Sequence, residues 1–320
     1  MIVERIGCVS NTRQLPRPRS TKVSRKKFGS IQAIVVGAGS IGVRHQDVLN
    51  DLGFNVGMVS RRHDVGEFGT VAEAVELSNP SYVVLATETE RHLESLSELI
   101  DAGYTGRVLL EKPILDRSGP LPDLPFESIA IGYNLRFHPG VLSLRDALTD
   151  QRVLSAQVRY GQYLPDWRPG RDYRQTVTAG VGGGVLLELS HELDLVNWLL
   201  GPSLVLYGRS LHTGTLEIER EDLAIGVLGL PGGGLASFEL NCLDQVQNRT
   251  FVVTTVDHLF QLDLIAGSLT VDGEVVCPGP VERNNTFASM HQAVVQGEPG
   301  PCSVTEAMAV LELAETLRDY

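Results

Sequence analysis

The chain has 320 residues, 42% of them hydrophobic and 21% charged, with 33 glycines and 16 prolines. At about 150 residues per domain this makes roughly two globular domains whose core needs no staples, and it excludes collagen, coiled coil and wholesale disorder. The formal net charge is −12 but uneven: residues 1–30 hold eight basic groups and one acidic, the remainder nineteen basic and 38 acidic, so the body repels phosphate backbones and nucleic acid is not an expected partner.

No run approaches ~18 consecutive apolar residues, so neither a membrane span nor a secretory apolar segment is expected. Cys8, Cys242, Cys277 and Cys302 are scattered without a C-x-x-C pair. That argues against a disulfide framework or a metal site and fits a reducing cytoplasm. Residues 1–30 lack apolar periodicity and contain Pro16 and Pro18, which reads as a disordered basic arm.

From residue 31 the pattern becomes regular. An apolar, β-branched run at 31–36 leads into Gly37-Ala38-Gly39-Ser40-Ile41-Gly42, then a helix over 43–52 and a second strand over 55–59. In such a G-x-G-x-x-G turn the first glycine permits the bend and the second lets backbone approach a pyrophosphate. The third lets helix and strand pack closely, and the helix N-terminus faces the anion. With strand before and helix after, Gly37, Gly39, Ser40, Ile41 and Gly42 become dinucleotide-binding candidates. The second strand ends Ser60-Arg61-Arg62 with no carboxylate before Asp64. A carboxylate there would hold an NAD ribose, whereas guanidiniums match a 2′-phosphate, so NADP(H) is favoured over NAD(H). The competing reading is a solvated arginine pair.

Alternation continues with a helix at 71–77 and a strand at 81–87. Thr87 and Glu90 then read as a capping box for a helix reaching residue 102. Strands at 107–111 and 128–133 follow. Such βα repetition predicts a doubly wound parallel sheet with ligands at the strands' carboxyl ends, where Thr87, Lys112 and Asn134 fall. Lys112 is the only lysine after position 30, against eighteen arginines. A lysine amine exchanges its proton where a guanidinium does not, which marks Lys112 as a catalytic candidate.

Beyond residue 150 strands follow one another without helices, at 152–163, 203–212, 222–230, 234–242, 249–257 and 259–265, with Asp272-Gly273 as a hairpin turn. They predict a mainly antiparallel sheet in an α+β domain. One helix interrupts them, over 185–200, and two close the chain, at 286–296 and 303–318. On the interrupting helix Glu188, His191 and Asp194 recur every three residues and so share a face. A histidine between carboxylates suits a general base for an alcohol proton.

These motifs together resemble the Gfo/Idh/MocA family of NAD(P)-dependent oxidoreductases across residues 31–320. The matching stretches are Gly37 to His45, Ala86-Thr87 with His92, Glu111-Lys112-Pro113, Gly132 to Phe137, and 182–194. Beyond the basic arm at 1–30, the resemblance implies a Rossmann domain at 31–134 and a substrate-binding, oligomerising α+β domain with an open sheet at 135–320. It implies that Lys112 orients the reacting sugar hydroxyl, His191 exchanges its proton and Glu188 tunes His191. It also places Thr87, His92, Glu111 and Asn134 at the cofactor. Family members carry an aspartate where this chain has Leu187, and a proline where it has Glu88.

For the substrate, 162–173 combines Tyr163, Trp167 and Tyr173 with Arg168 and Arg171 just before the catalytic helix. Aromatic faces suit sugar rings and arginines suit phosphate or carboxylate. With Arg136 and Asp194 they suggest an anionic or nucleotide-linked sugar. Two other readings remain: a glycoside hydrolase that keeps its dinucleotide through an internal redox cycle, and a non-catalytic dinucleotide-binding regulator. An open sheet face further predicts a homo-dimer or homo-tetramer through the C-terminal sheet.

Overall fold

The computed structural model describes residues 32–62, 64–168, 170, 172–175, 183–277 and 279–320. The basic arm and Arg171 lie outside the described residues. Five short strands form the first sheet: β1 (Ala33–Val36), β2 (Val56–Val59), β3 (Tyr82–Leu85), β4 (Arg107–Leu110) and β5 (Ser128–Ile131). All are parallel, in the order β2-β1-β3-β4-β5. A parallel bridge from Val59 to Phe68 lies beyond β2; counted as an outermost strand, it restores the six-strand Rossmann order. Every residue of β1 and β3 is buried, as expected where helices cover both faces. Helices α1 (Ser40–Asp51), α2 (Val71–Ser78) and α3 (His92–Asp101) make the crossovers.

Between residues 134 and 153 lies a helix that periodicity alone does not announce, α4 (Pro139–Leu148). Pro139 opens it, with φ pre-set and no amide hydrogen to waste, and the His138 side chain caps it by accepting from Gly140 N. The second sheet contains β6 (Val153–Gly161), β7 (Leu204–Leu211), β8 (Leu223–Gly229), β9 (Leu235–Asn241), β10 (Asn248–Thr255), β11 (Leu259–Asp263), β12 (Ser268–Val271) and β13 (Glu274–Cys277). Its order is β13-β12-β11-β10-β6-β9-β8-β7, antiparallel except for the β6–β9 pair. Along β6, Ala156, Val158 and Tyr160 turn inward while Ser155 and Gln157 stay exposed. The α/β architecture with a mixed, mainly antiparallel second sheet agrees with the sequence reading.

Three details differ from it. The helix expected over 185–200 is broken into α5 (Val185–Glu188) and α6 (Ser190–Leu200) at Leu189. No Thr87–Glu90 capping box forms: a 3-10 turn at Thr89–Arg91 precedes α3, and Thr87 Oγ1 bonds Ser95 Oγ instead. Finally, the sheet of residues 31–134 is completed from the other part of the chain. In α7 (Arg283–Gln296), Phe287, Met290 and Val294 join the core formed by Ala33, Val35, Val48 and Val84. The last helix, α8 (Val304–Asp319), starts with a full capping box between Ser303 and Glu306. Among the described residues no helix is long and apolar enough to cross a membrane.

Candidate active site

The glycine turn is built as the pattern requires. Gly37 has a positive φ of 106°, and a Cβ there would stand 2.5 Å from Ala86 O; on Gly42 it would meet Gly37 O. Gly39 differs: a Cβ there would meet nothing within 4 Å. The open space lies at the N-cap of α1, where no side chain caps the helix and the first turn holds no acidic residue. Free amide hydrogens beside open space fit a pyrophosphate. At the end of β2, Ser60 Oγ accepts from Arg62 N, and Arg62 Nη2 reaches back to Ala38 O at 2.6 Å. Arg61 pairs with Glu94 and Glu98 on α3, all three well exposed.

Lys112 lies two residues beyond the end of β4, and its Nζ donates to the main-chain oxygen of Glu188 at 2.9 Å. The break at Leu189 makes that oxygen available. In an unbroken helix Glu188 O would accept from Glu192 N, which here bonds Leu189 O at 3.1 Å. The ammonium is thus moored three residues before His191. The His191 Nδ1 is buried and takes no hydrogen bond from any described residue. Burial, with the charges of Lys112, Arg249 and Arg283, holds His191 well below the usual imidazole range. It is a neutral imidazole beside a lysine, edge-on to Tyr133 at 5.5 Å.

The carboxylates expected around His191 serve elsewhere. Asp194 forms a two-toothed ion pair with Arg136: Nε lies 3.0 Å from Oδ2, and Nη2 bonds Oδ1. Arg136 Nη1 also reaches Glu306 at 2.9 Å. Both Arg136 and Asp194 are fully buried, so they join the domain core to α8 and face no open site. Burial lifts the Asp194 carboxyl to about 6 against the pull of Arg136. The Glu188 carboxylate has no hydrogen-bond or ion-pair partner among the described residues; its main-chain oxygen makes the contact to Lys112.

Of the residues expected at the cofactor, Asn134 donates to Thr286 Oγ1 at 2.7 Å. Thr87 is half-buried at the carboxyl end of β3. Glu111 is turned inward, accepting from His45 Nε2 at 2.8 Å. His92 is buried against Ile114 O and Thr87 O, tying two loops together. In the aromatic loop Tyr163, Trp167 and Tyr173 are half-buried while Arg168 is exposed.

Several residues of the site escaped the sequence reading. Glu192, next to His191, is fully buried and ion-paired with Arg249 on β10, whose guanidinium lies 4.4 Å from the centre of the Tyr160 ring. Glu192 Oε2 and Arg249 Nη2 are both buried without partners among the described residues. Burial, and then the neighbouring charges of Arg44 and Arg249, lower the pKa of Arg283 at the start of α7. Arg249 could have been found by strand parity: positions 249, 251, 253 and 255 of β10 face one way, and Phe251, Val253 and Thr255 are buried.

This arrangement defines the fold class: a Rossmann-like parallel sheet with helical crossovers joined to a second, mixed and mainly antiparallel sheet, with Lys112 just beyond β4 and His191 on α6. Residues 151–257 match the family model described as GFO/IDH/MocA C-terminal domain. Solved structures share the fold over nearly the whole chain. Crystalline GenD2 from gentamicin A biosynthesis, in complex with NAD, is 21% identical with a TM-score of 0.73, covering 94% of this chain and 95% of that one. UDP-N-acetylglucosamine 3-dehydrogenase GnnA from Acidithiobacillus ferrooxidans is 16% identical with a TM-score of 0.73, covering 90% and 97%. The WlbA dehydrogenase from Bordetella pertussis, in complex with NADH and UDP-GlcNAcA, is 17% identical with a TM-score of 0.71, covering 90% and 95%. No curated protein matches the chain. The resemblance to the Gfo/Idh/MocA family is borne out by the family model over residues 151–257, and the solved structures share the fold over nearly the whole chain.

Proposed function

We propose that this chain is a nicotinamide-dependent sugar oxidoreductase that moves a hydride between the dinucleotide and a carbinol carbon of its substrate. The observation that carries the reading is the Lys112 ammonium moored to Glu188 O beside a neutral, unbonded His191. A neutral imidazole can take the hydroxyl proton as the sugar is oxidised and return it on reduction. A fixed ammonium beside it polarises the same oxygen. Gly37, Gly39, Ser40, Ile41 and Gly42 would hold the dinucleotide, with Thr87 and Asn134 toward its reacting end. When bound, that group supplies the hydride acceptor or donor.

NADP(H) is favoured over NAD(H), because β2 ends in a serine and two arginines without a carboxylate. The pairs of Arg61 with Glu94 and Glu98 are solvent-exposed and therefore weak, so they do not remove that guanidinium from a 2′-phosphate. The substrate is an anionic or nucleotide-linked sugar. Arg249 and Arg283, whose charges reach His191 beside Lys112, and Arg44, whose charge reaches Arg283, support a negative charge there, with Arg168 exposed in the aromatic loop. On the outer face of the second sheet Leu204, Leu206, Ile225 and Leu235 are exposed, which supports a homo-dimer or homo-tetramer. The test is a panel of neutral, acidic and nucleotide-linked sugars with each dinucleotide, read at the nicotinamide absorbance. Turnover of an anionic sugar is expected, with tighter NADP(H) binding that weakens in Arg61→Ala. Turnover of none, or stronger NAD(H) binding, contradicts the corresponding part.

A further inference from the structure

Behind Lys112, away from His191, runs a chain of buried hydrogen bonds that the proposed reaction does not use. Tyr82 Oη lies 2.8 Å from His291 Nδ1, His291 Nε2 lies 2.9 Å from His45 Nδ1, and His45 Nε2 lies 2.8 Å from Glu111 Oε1. The other Glu111 oxygen accepts from Lys112 N at 3.1 Å. Tyr82, His45 and His291 are at most 1% exposed, and Glu111 is 8% exposed. A Cβ on Gly132 would stand 2.9 Å from Glu111 Oε1, so the glycine keeps room for this carboxylate.

Only one assignment of hydrogens satisfies every member. Burial alone would raise the Glu111 pKa, but the hydrogen bond from His45, with the Lys112 charge and main-chain amide, brings it below the ordinary value. Glu111 is therefore an acceptor, and His45 Nε2 carries the hydrogen. With His45 neutral, its Nδ1 accepts from His291 Nε2, whose own Nδ1 then accepts the Tyr82 hydroxyl. Were His45 an imidazolium, His291 would have to accept at Nε2 and donate at Nδ1. The buried Tyr82 hydroxyl hydrogen would then have no partner among the described residues, at a cost of about 1–3 kcal/mol. Burial, then the neighbouring His45, keeps His291 far below the usual imidazole range. The groups facing the chain are Lys112 beside Glu111, His92 and Arg283 toward Glu111, Tyr104 near Tyr82, and the Phe287 ring against His45.

The chain joins α1, β3, the end of β4 and α7. Helix α7 is also the element that carries Thr286, the partner of Asn134, and Arg283. We propose that His291, backed by Tyr82, is a positioning residue: through His45 and Glu111 it fixes the main chain of Lys112 and locks α7 against the active site. It touches neither sugar nor cofactor. This deepens the proposed function and rests on it for the kinetic readout only.

The test uses the full chain. Nitrogen-15 NMR of the imidazoles should show His45 and His291 each with a single hydrogen, on Nε2, between pH 6 and 9; an imidazolium or an Nδ1–H form on either overturns the assignment. With the sugar found active in the panel, His291→Phe should lower kcat on the order of tenfold while the dinucleotide KM stays within about twofold, as expected for misplacement rather than lost binding. His291→Gln retains a donor toward His45 and should recover most of the loss. Unchanged kcat in His291→Phe, or no recovery in His291→Gln, overturns the positioning role. If wild type turns over no sugar, the functional reading fails while the NMR result still decides the hydrogen-bond chain.

Discussion

Two imidazole environments flank Lys112 and differ in one respect. Behind the lysine, His45 and His291 have both ring nitrogens bonded. In front, the His191 Nδ1 is buried with no partner among the described residues. A buried polar atom without a partner costs about 1–3 kcal/mol, a cost the sequence has avoided one layer away. The contrast separates what holds the site from what works in it: closed networks fix position, and the open imidazole is left to exchange a proton. The ion pair of Asp194 with Arg136, one turn along α6, belongs with the closed kind.

The comparison can be broken first at His191. His191→Ala should reduce kcat about 10²–10⁴-fold with little change in melting temperature, because the imidazole makes no described hydrogen bond. A large loss of stability instead would class it with the closed networks. Next comes Asp194→Ala, which strands the buried Arg136 and should cost about 3–5 kcal/mol in denaturant unfolding; a loss below about 1 kcal/mol contradicts the assignment. Third is acid sensitivity. His138 is held at about 4, chiefly by burial, and its Nδ1 must stay unprotonated to cap α4. The unfolded chain therefore binds a proton at pH values where the folded one does not, and stability is full above about 6.5 and falls as pH drops toward 4. That loss is on the order of 3 kcal/mol. Asp194, lifted to about 6, works in the opposite direction, so the clean comparison is with His138→Asn. That variant keeps a capping acceptor without titrating and should lose less stability between pH 7 and 5. Smallest is Ser303→Ala, which opens the capping box of α8 and should cost about 1 kcal/mol by thermal unfolding without altering kcat.

Local signals carried much of this into the sequence. The glycine turn, the strand–helix alternation and the lysine after β4 depend on neighbours within a few residues, so they were legible. The second sheet was legible from period-two burial and its turn residues. What failed was inference from spacing alone. Placing Glu188 on one face with His191 assumes a continuous helix, which the break at Leu189 removes, and Asp194, though on α6 with His191, is taken by Arg136. Arg136 is 58 positions from Asp194 and His291 is 246 from His45, and no periodicity reports such pairings. His45 stood in the glycine motif, but its partner on α7 had no signal. Glu192 and Arg249 were readable as charged residues at inward-facing positions, a pattern more informative than the exposed arginines of the aromatic loop.

The most direct measurement of the central idea is the turnover of Lys112→Arg beside wild type, on the same sugar and dinucleotide. The substitution keeps a cation but not a compact, proton-exchanging amine that fits Glu188 O. The account predicts that kcat falls at least about 10²-fold while dinucleotide binding is retained. Turnover within a few-fold of wild type would contradict it, because any positive charge would then serve at that position.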